Sequence, residues 1–276
     1  MKQIIEELER KSKQLRLNIV EMIGYGKTGH LGGSCSIADV VAALYFYKMK
    51  HDPRNPQWED RDRFLLSKGH SALVQYAALS DCGYFAKEEL GKLKKLGSML
   101  QGHPDMMKTP GIEANTGSLG QGLSIGCGIA AGARIDGKNY HVYCVVGDGE
   151  IAEGQIWEAA MAASFYKLDN LVVILDRNRI QATGAISERF DTNPLSEKWK
   201  AFGWYVIEID GHDMKQIVEA LDKADEVYGQ PVIIVANTIK GKGVVFAEDT
   251  AVFHNGMMTQ EQFEVAREGL QVKGIS

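Results

Sequence analysis

The chain of 276 residues has few cysteines, few prolines and no strong excess of either charge. Its four cysteines, at positions 35, 82, 127 and 144, form no Cys-x-x-Cys pair, and each lies among apolar or small residues. This distribution predicts reduced thiols in a cytoplasmic protein rather than a disulfide framework or a zinc site. A formal net charge of −5 argues against the basic surface of a nucleic-acid-binding or membrane-binding protein.

Long apolar runs are also missing from the sequence. The longest uncharged stretch, around residues 119–133, is too short and too rich in glycine to span a bilayer. The first residues, Met1–Glu7, are charged where a signal peptide would need an apolar segment. We therefore expect neither a membrane partner nor a nucleic-acid partner. A hydrophobic content of 45% is typical of a globular protein that can bury a substantial core.

Strand-like and helix-like segments alternate along the second half of the chain. Apolar runs predict strands, and amphipathic segments between them predict helices, in the order 142–146, 155–168, 171–176, 205–209, 213–228 and 232–237. This alternation predicts an α/β fold with a doubly wound, mainly parallel sheet flanked by helices. No internal repeat or flexible linker interrupts the pattern, so we expect one domain over residues 1–276.

The first half of the sequence has patterns that predict more helices than strands. Residues 2–23 have the apolar spacing of an amphipathic helix, and residues 25–36 form a Gly-rich segment that predicts a loop. Ser36 is expected to cap a helix over 37–47. A short strand at 63–66, a helix at 71–82 and a small-residue helix at 118–133 complete the prediction.

Polar residues follow two of the predicted strands where each strand ends. Gly147-Asp148-Gly149 ends the run 142–146, and Asn178 follows the run 171–176. Parallel strands lie about 4.8 Å apart, and their carboxyl ends form the edge where open α/β sheets bind ligands. A carboxylate and an amide oxygen suit Mg²⁺ or Ca²⁺, with phosphate oxygens of a cofactor as further ligands. A helix-capping role for Asp148 is the alternative.

Several histidines occur in predicted loops next to glycine. His30, His70 and His103 each follow a glycine, and His254 precedes Asn255-Gly256. A single loop histidine usually has a structural role, but several of them beside a metal signature favour a functional cluster. We predict structural roles for the histidines at positions 51, 141 and 212, the last at a turn before a helix.

An ordered set of motifs runs from about residue 10 to about residue 260. The motifs are Gly29-His30, Ser67-Lys68-Gly69-His70, Gly102-His103-Pro104, Thr116-Gly117-Ser118-Leu119-Gly120-Gln121-Gly122, Gly147-Asp148-Gly149-Glu150, Glu153-Gly154, Leu175-Asp176-Arg177-Asn178-Arg179-Ile180 and Lys240-Gly241-Lys242-Gly243. Together they resemble the diphosphate-binding (PP) domain of transketolase, a thiamine diphosphate enzyme. The resemblance implies thiamine diphosphate and Mg²⁺ as cofactors, with Ca²⁺ or Mn²⁺ able to replace the magnesium.

The resemblance also implies roles for individual residues. The metal would bind the side chains of Asp148 and Asn178 and the backbone carbonyl of Ile180. Contacts with the cofactor are implied for His70, Gly117, Ser118, Leu119, Gly149, Glu153, Asn178, Lys240 and His254. Catalytic roles are implied for three histidines: His30 and His103 would bind hydroxyls of the donor sugar and move protons, and His254 would line the substrate channel. Lys68 is expected to support His70. Glu153 has an alternative role as a first-turn helix acid.

Half of the expected catalytic machinery is missing from this sequence. In transketolases, the carboxylate that activates the aminopyrimidine ring and the clamp for the sugar phosphate belong to a second, pyrimidine-binding domain. The resemblance therefore implies the N-terminal subunit of a split transketolase. Such a chain would be inactive without its C-terminal subunit, with which it would form a heterotetramer. A truncated piece of a longer chain is the alternative.

The implied reaction transfers a two-carbon ketol unit from a ketose phosphate to an aldose phosphate. Other possible identities are a deoxyxylulose phosphate synthase-like subunit, the α subunit of a 2-oxo-acid dehydrogenase E1, and a non-catalytic, cofactor-binding regulatory subunit. Residues 102–104 and 116–122 favour transketolase over E1. The intact histidines at positions 30, 70, 103 and 254 argue against a regulatory subunit.

Overall fold

A computed structural model describes residues 1–271 of the chain. Its centre is a five-stranded parallel sheet with the strand order β2-β3-β4-β8-β7. Two short antiparallel pairs, β1 with β9 and β5 with β6, lie outside this sheet. The strands are β1 (Thr28–Gly29), β2 (Arg63–Leu66), β3 (Val142–Gly147), β4 (Leu171–Arg177), β5 (Ile180–Gln181), β6 (Gly184–Ala185), β7 (Tyr205–Asp210), β8 (Val232–Asn237) and β9 (Gly256–Met257).

Helices connect the strands and cover both faces of the sheet. The α-helices are α1 (Lys2–Ile23), α2 (Leu31–Ser36), α3 (Ala38–Ala43), α4 (Ala72–Cys82), α5 (Gln121–Ile135), α6 (Gly154–Phe165), α7 (Ile186–Arg189), α8 (Leu195–Ala201), α9 (Met214–Ala224) and α10 (Gln260–Leu270). Within residues 1–271, no helix combines the length and the apolar character needed to cross a membrane.

Two apolar layers hold the helices to the sheet, because alternate residues of each strand point to opposite faces. On one face Tyr143 and Val145 pack with α1, α3, α4 and α9. On the other face Val142 and Cys144 pack with α5, α6 and α8. After β4 the chain forms the edge strand β7 and then returns to β8, which lies between β4 and β7. Because the direction of travel across the sheet is reversed and the crossover is right-handed, α9 lies on the face opposite α6. The predicted α/β fold with a doubly wound, parallel sheet is therefore confirmed.

The register of the sheet positions the candidate site. Gly147 pairs with Asp176, and Asp176 pairs with Ala236 on the next strand. The residues that follow these three strands therefore meet at one edge, as the sequence predicts for Asp148 and Asn178. Thr238, which follows β8, joins them there.

The first half of the chain differs from the prediction around Ser36. The Gly-rich segment is not a loop throughout, since Leu31–Ser36 form the helix α2. Ser36 caps no helix. It ends α2, and its hydroxyl donates to the Asp176 carboxylate at 2.6 Å, with the Gly33 carbonyl as a second acceptor within reach at 3.1 Å. The predicted helix over 37–47 is α3 followed by a π-helical turn, Leu44–Lys48.

Candidate active site

A cavity of about 260 Å³ opens at the carboxyl edge of the sheet. Most of the site residues that the sequence predicts meet there: His30, His70, Gly117, Leu119, Asp148, Gly149, Asn178, Ile180, Lys240 and His254 line it. His103, Ser118 and Glu153 are not among its lining residues. The sheet thus brings together segments that lie far apart in the sequence.

Three oxygen donors predicted to bind a metal come from the turns after β3 and β4. Asp148 and Asn178 are buried, with 4% and 7% of their surface exposed. The Asp148 carboxylate accepts the backbone N–H groups of Gly149 at 2.9 Å and Arg179 at 2.5 Å. Asn178 Oδ1 accepts the Ile180 N–H at 3.1 Å. These bonds fix the two turns against each other and hold the carboxylate and the amide oxygen at the cavity.

Asp176 lies beneath these donors, and its carboxylate is fully buried. Its Oδ2 accepts from Lys68 Nζ at 2.5 Å, Ser36 Oγ at 2.6 Å and Asn178 Nδ2 at 3.0 Å, and its Oδ1 accepts from Thr238 Oγ1. Burial opposes ionisation of Asp176, but the Lys68 charge and these hydrogen bonds outweigh it and lower its pKa. Lys68 therefore supports Asp176 and the Gly33 carbonyl, and not His70 as expected from the sequence.

The donor set fits a divalent cation. Burial raises the pKa of Asp148 to about 7, and the nearby Asp176 charge adds to the rise. A cation at the cavity would reverse this effect by favouring the ionised form. The Ile180 carbonyl already accepts from the Lys240 ammonium at 2.7 Å, so it faces positive charge in this structure. One carboxylate, one amide oxygen and one carbonyl are the hard donors that Mg²⁺ and Ca²⁺ prefer.

Lys240 provides a buried positive charge beside these donors. Its side chain is nearly inaccessible, at 2% exposure, and Nζ lies 3.1 Å from His254 Nδ1. Burial and the Lys68 charge lower the pKa of Lys240 to about 8, and the carboxylates of Asp176 and Asp148 oppose this change. A bound polyphosphate would stabilise the ammonium form, so the residue suits an anionic ligand.

Three histidine rings form a triangle on the cavity wall. The centroid of His30 lies 5.1 Å from that of His70 and 5.4 Å from that of His254, and the His70 and His254 centroids are 5.1 Å apart. Burial lowers the pKa of His30 and of His254 to about 4, with nearby lysine and histidine charges as further causes. Burial and Lys68 lower the pKa of His70 as well. All three rings are therefore neutral at pH 7, so each has one nitrogen that can donate a hydrogen bond and one that can accept.

His103 adjoins this triangle without lining the cavity. Its ring centroid lies 6.3 Å from that of His30. Gly117 has φ +147°, and a Cβ atom there would lie 2.7 Å from His103 Cδ2. The lack of a side chain at Gly117 therefore allows the backbone and this ring to lie close together. In this structure the group that approaches it is the His103 ring.

Glu150 connects the Gly117 loop to the sheet. Its buried carboxylate accepts the Gly120 N–H at 2.9 Å, the Gly147 N–H at 3.0 Å and the Ser67 hydroxyl. Glu153, by contrast, is exposed at the N-cap of α6, where its Cβ atom lies close to Gly120. Its predicted contact with the cofactor is not seen among the cavity residues.

The sequence prediction missed Asp176, Glu150 and Thr238. Asp176 and Glu150 occur inside the quoted motifs. An acidic side chain at the end of a buried strand is a signal that could identify Asp176, whereas Glu150 lies three residues beyond the end of β3. Thr238 follows β8 as Asn178 follows β4, so the same edge argument applies to it. Their partners lie on other elements, and only the folded chain shows those contacts.

The parallel sheet, the oxygen donors and the buried lysine have the chemistry that suits an anionic cofactor bound together with a cation. A family model described as the thiamine diphosphate binding domain of transketolase matches residues 8–274. The chain belongs to the transketolase family, of which this is the thiamine diphosphate-binding domain.

Two similar proteins match this chain over nearly their whole lengths. The 6-deoxy-6-sulfo-D-fructose transketolase subunit SqwG of Clostridium sp. (strain MSTE9) is 46% identical over 97% of this chain and 98% of its own. A subunit of the apulose-4-phosphate transketolase of Phocaeicola vulgatus is 43% identical over 95% of this chain and 93% of its own.

Among solved structures, transketolase from Leishmania mexicana superposes with a TM-score of 0.90 and 33% sequence identity. The match covers 95% of this chain and 41% of that one. Human transketolase is 39% identical, and the match covers 95% of this chain and 42% of the human one. This chain therefore corresponds to about two fifths of these longer transketolases.

Proposed function

We propose that this chain is the N-terminal subunit of a two-subunit transketolase that transfers a two-carbon ketol unit between sugar phosphates. The observation that carries the proposal is the convergence of Asp148, Asn178, Lys240 and the histidine triangle on one cavity. Two similar proteins that match over nearly their whole lengths are named as transketolase subunits, which supports the division into two chains. We propose further that residues 1–276 form a single domain and that the protein is cytoplasmic.

The residues of this chain would bind the diphosphate end of the cofactor. Asp148 and Asn178 would hold Mg²⁺ by their side chains, and Ile180 would hold it by its carbonyl. Lys240, His70 and the Gly149 N–H would bind diphosphate oxygens. Thiamine diphosphate supplies the carbanion chemistry of ketol transfer when it is bound. Asp176 and Glu150 would keep the two turns and the Gly117 loop in position.

The histidines would act on the sugar. His30, His103 and His254 are proposed to bind hydroxyls of the donor and to move protons as carbon–carbon bonds break and form. Their rings suit this role because burial keeps His30 and His254 neutral at pH 7. General acid–base groups of this kind typically contribute about 10²–10⁴-fold to a rate.

The partner would complete the site. We propose that a separate C-terminal subunit supplies the carboxylate that contacts the aminopyrimidine ring and the residues that hold the sugar phosphate. A heterotetramer of two copies of each subunit would form two sites. The names of the two similar proteins point to sugars with an anionic group, 6-deoxy-6-sulfo-D-fructose and apulose 4-phosphate, as the class of substrate.

The test is a reconstitution experiment. The purified chain is assayed for ketol transfer with and without a candidate C-terminal subunit, in the presence of thiamine diphosphate and Mg²⁺, while light scattering measures the mass. We expect activity only in the mixture, together with a mass of two copies of each subunit. Ketol transfer by the chain alone would overturn the proposed division of the site. Decarboxylation of a 2-oxo acid in place of ketol transfer would overturn the proposed reaction.

A further inference from the structure

A second histidine-containing cluster lies beside the cavity, outside the set of residues that line it. Its members are Arg16 on α1, Asp39 on α3 and His212 in the turn between β7 and α9. The side chains of Arg16 and Asp39 are 7% and 9% exposed, and that of His212 is 12% exposed. The cluster is therefore almost wholly shielded from solvent.

Arg16 keeps Asp39 ionised. The guanidinium donates to Asp39 Oδ1 at 2.9 Å and to Oδ2 at 2.5 Å, which is the paired geometry that stabilises a carboxylate. Burial of Asp39 opposes ionisation, but Arg16 and His212 outweigh it and hold the pKa of this carboxyl far below its ordinary value. Asp39 is thus a hydrogen-bond acceptor at each of its oxygens.

The contacts of His212 fix the position of its ring proton. The backbone N–H of Ile239 donates to Nε2 at 2.8 Å, so Nε2 carries a lone pair. Nδ1 lies 2.7 Å from Asp39 Oδ2, and the ionised carboxylate can only accept, so Nδ1 carries the proton. The ring is a neutral imidazole that bridges a fixed carboxylate and a backbone amide.

The amide that His212 holds belongs to the residue before Lys240. Thr238, on the other side of Ile239, donates its N–H to the Arg177 carbonyl at 3.1 Å. Gly211 permits the close approach of the two turns, because a Cβ atom there would lie 2.5 Å from Thr238 Cγ2. From this backbone the Lys240 side chain reaches the Ile180 carbonyl at 2.7 Å. A shift at Ile239 would therefore move the ammonium that faces the cavity.

We propose that His212 is a positioning residue that holds the backbone of Ile239 and thereby sets the place of the Lys240 ammonium. Asp39 and Arg16 would support it by keeping the ring in the tautomer that can accept the Ile239 amide. His212 would thus have the structural role at a turn that the sequence predicts, and it would also position a residue of the candidate active site. The consequence for the affinity of the diphosphate rests on the proposed function, whereas the placement of Lys240 does not.

Two substitutions each retain one of the two hydrogen bonds of the His212 ring and remove the other. In His212→Gln, the longer side chain places an oxygen near Nε2 and can accept from Ile239. In His212→Asn, the shorter side chain places an amide near Nδ1 and can donate to Asp39, but it cannot reach Ile239. His141→Gln is the matched control, since this histidine precedes β3 at the amino edge of the sheet, away from the cavity.

Nuclear magnetic resonance tests the inference without the cofactor. Nitrogen-15 spectra of labelled histidine should show His212 protonated on Nδ1 alone at pH 7.5. Amide exchange at Ile239 should be roughly tenfold faster in the Asn variant than in the wild type or the Gln variant, as one lost hydrogen bond implies. A nuclear Overhauser effect between the Lys240 ε protons and the His254 ring should be present in the wild type and the Gln variant and lost in the Asn variant. An Nε2–H tautomer, or an unchanged Lys240 contact in the Asn variant, would overturn the inference.

Calorimetric titration with thiamine diphosphate and Mg²⁺ tests its consequence. We expect about tenfold weaker binding by the Asn variant than by the Gln variant, at similar melting temperatures, and no change in His141→Gln. Equal affinities in the Asn and Gln variants, when the wild type binds, would overturn the role of His212 at the site. A wild type that binds no cofactor would count against the proposed function, while the magnetic resonance data would still decide the role of His212.

Discussion

The side-chain amide of Asn178 donates from Nδ2 to Asp176 Oδ2 at 3.0 Å, which leaves its oxygen on the side of Ile180 and the cavity. Asp176 can impose this orientation because it is fully buried and ionised, and therefore only accepts. Both residues lie at the end of β4. Asp176 holds the amide nitrogen, and the amide oxygen, which accepts the Ile180 N–H, keeps a second lone pair for a cation.

The first prediction concerns Asn178→Asp. The change adds negative charge to the proposed metal ligands, and from charge alone Mg²⁺ would bind more tightly. It also removes the donor to Asp176 and places two buried carboxylates side by side, so one of them is protonated or displaced. We expect Mg²⁺-dependent binding of thiamine diphosphate to weaken by about tenfold or more, measured by titration calorimetry. Tighter binding of Mg²⁺ would show that Asp176 does not orient this ligand.

The second prediction concerns Asp148→Asn. Burial raises the pKa of Asp148 from 3.8 to about 7, so its contribution to stability is complete below 3.8 and is lost as the pH rises to about 7. Without cofactor, the Asn variant should therefore melt at or above the wild-type temperature at pH 8, and the difference should shrink at lower pH.

With cofactor and Mg²⁺ the order should reverse. A ligand at 100 times its Kd stabilises a protein by about 2.7 kcal/mol, and the variant should lose this stabilisation. Thermal melts at two pH values, each with and without thiamine diphosphate and Mg²⁺, provide the measurement. An Asn variant that still gains the full thermal shift would rule out Asp148 as a metal ligand.

The sequence was sufficient for the sheet and for its ligand-binding edge. The runs that became β3 and β4 are apolar and end in polar residues, so their place as neighbouring strands and the meeting of Asp148 with Asn178 follow from local pattern. The position of β8 between β4 and β7 does not. The helix α2 was missed because its glycines resemble a loop. In the fold, Gly32 and Gly33 lie against Lys240 and Ser71, and this tertiary contact outweighs the low helix propensity of glycine.

The supporting contacts of the site could not be predicted in the same way. Serine is a residue type that often caps helices, yet the Ser36 hydroxyl donates to Asp176, 140 positions away in the sequence. Lys68 likewise pairs with Asp176 rather than with the neighbouring His70. The bridge from Asp39 through His212 joins elements separated by most of the chain. Such contacts depend on how the helices pack, and the local patterns of the sequence do not indicate them.

The third prediction concerns His103 and Gly117. His103→Ala should lower the turnover of the reconstituted enzyme by about 10²–10⁴-fold with little change in the affinity for cofactor, because His103 does not line the cavity. Gly117→Ala should lower turnover too, since its Cβ atom would lie 2.7 Å from the His103 ring. If both act through the ring, the double variant should lose less than the product of the two single losses. Multiplicative losses in steady-state kinetics would mean that Gly117 has a separate role.

The last prediction concerns Glu150, whose carboxylate joins three segments around the cavity. It accepts from Gly120 and Ser67 at Oε1 and from Gly147 at Oε2. In Glu150→Gln, the amide nitrogen cannot accept, so a buried N–H or O–H loses its partner, which costs about 1–3 kcal/mol. In the wild type, burial opposes the charged form of Glu150 and raises its pKa. The neutral glutamine avoids this cost, which offsets part of the loss. Because these two effects oppose each other, we expect a small net change in the free energy of unfolding and a larger effect on turnover.

We accordingly expect Glu150→Gln to melt only a few degrees below the wild type, because about 1 kcal/mol shifts Tm by about 2–4 °C in a domain of this size. Turnover should fall by about tenfold or more, since the Gly117 loop and His103 lose their anchor to the sheet. The control is Glu219→Gln on the exposed side of α9, which should change neither quantity. Thermal melts and steady-state kinetics of the reconstituted enzyme give both numbers. A variant with a large loss of stability and unchanged turnover would show that Glu150 supports the fold alone.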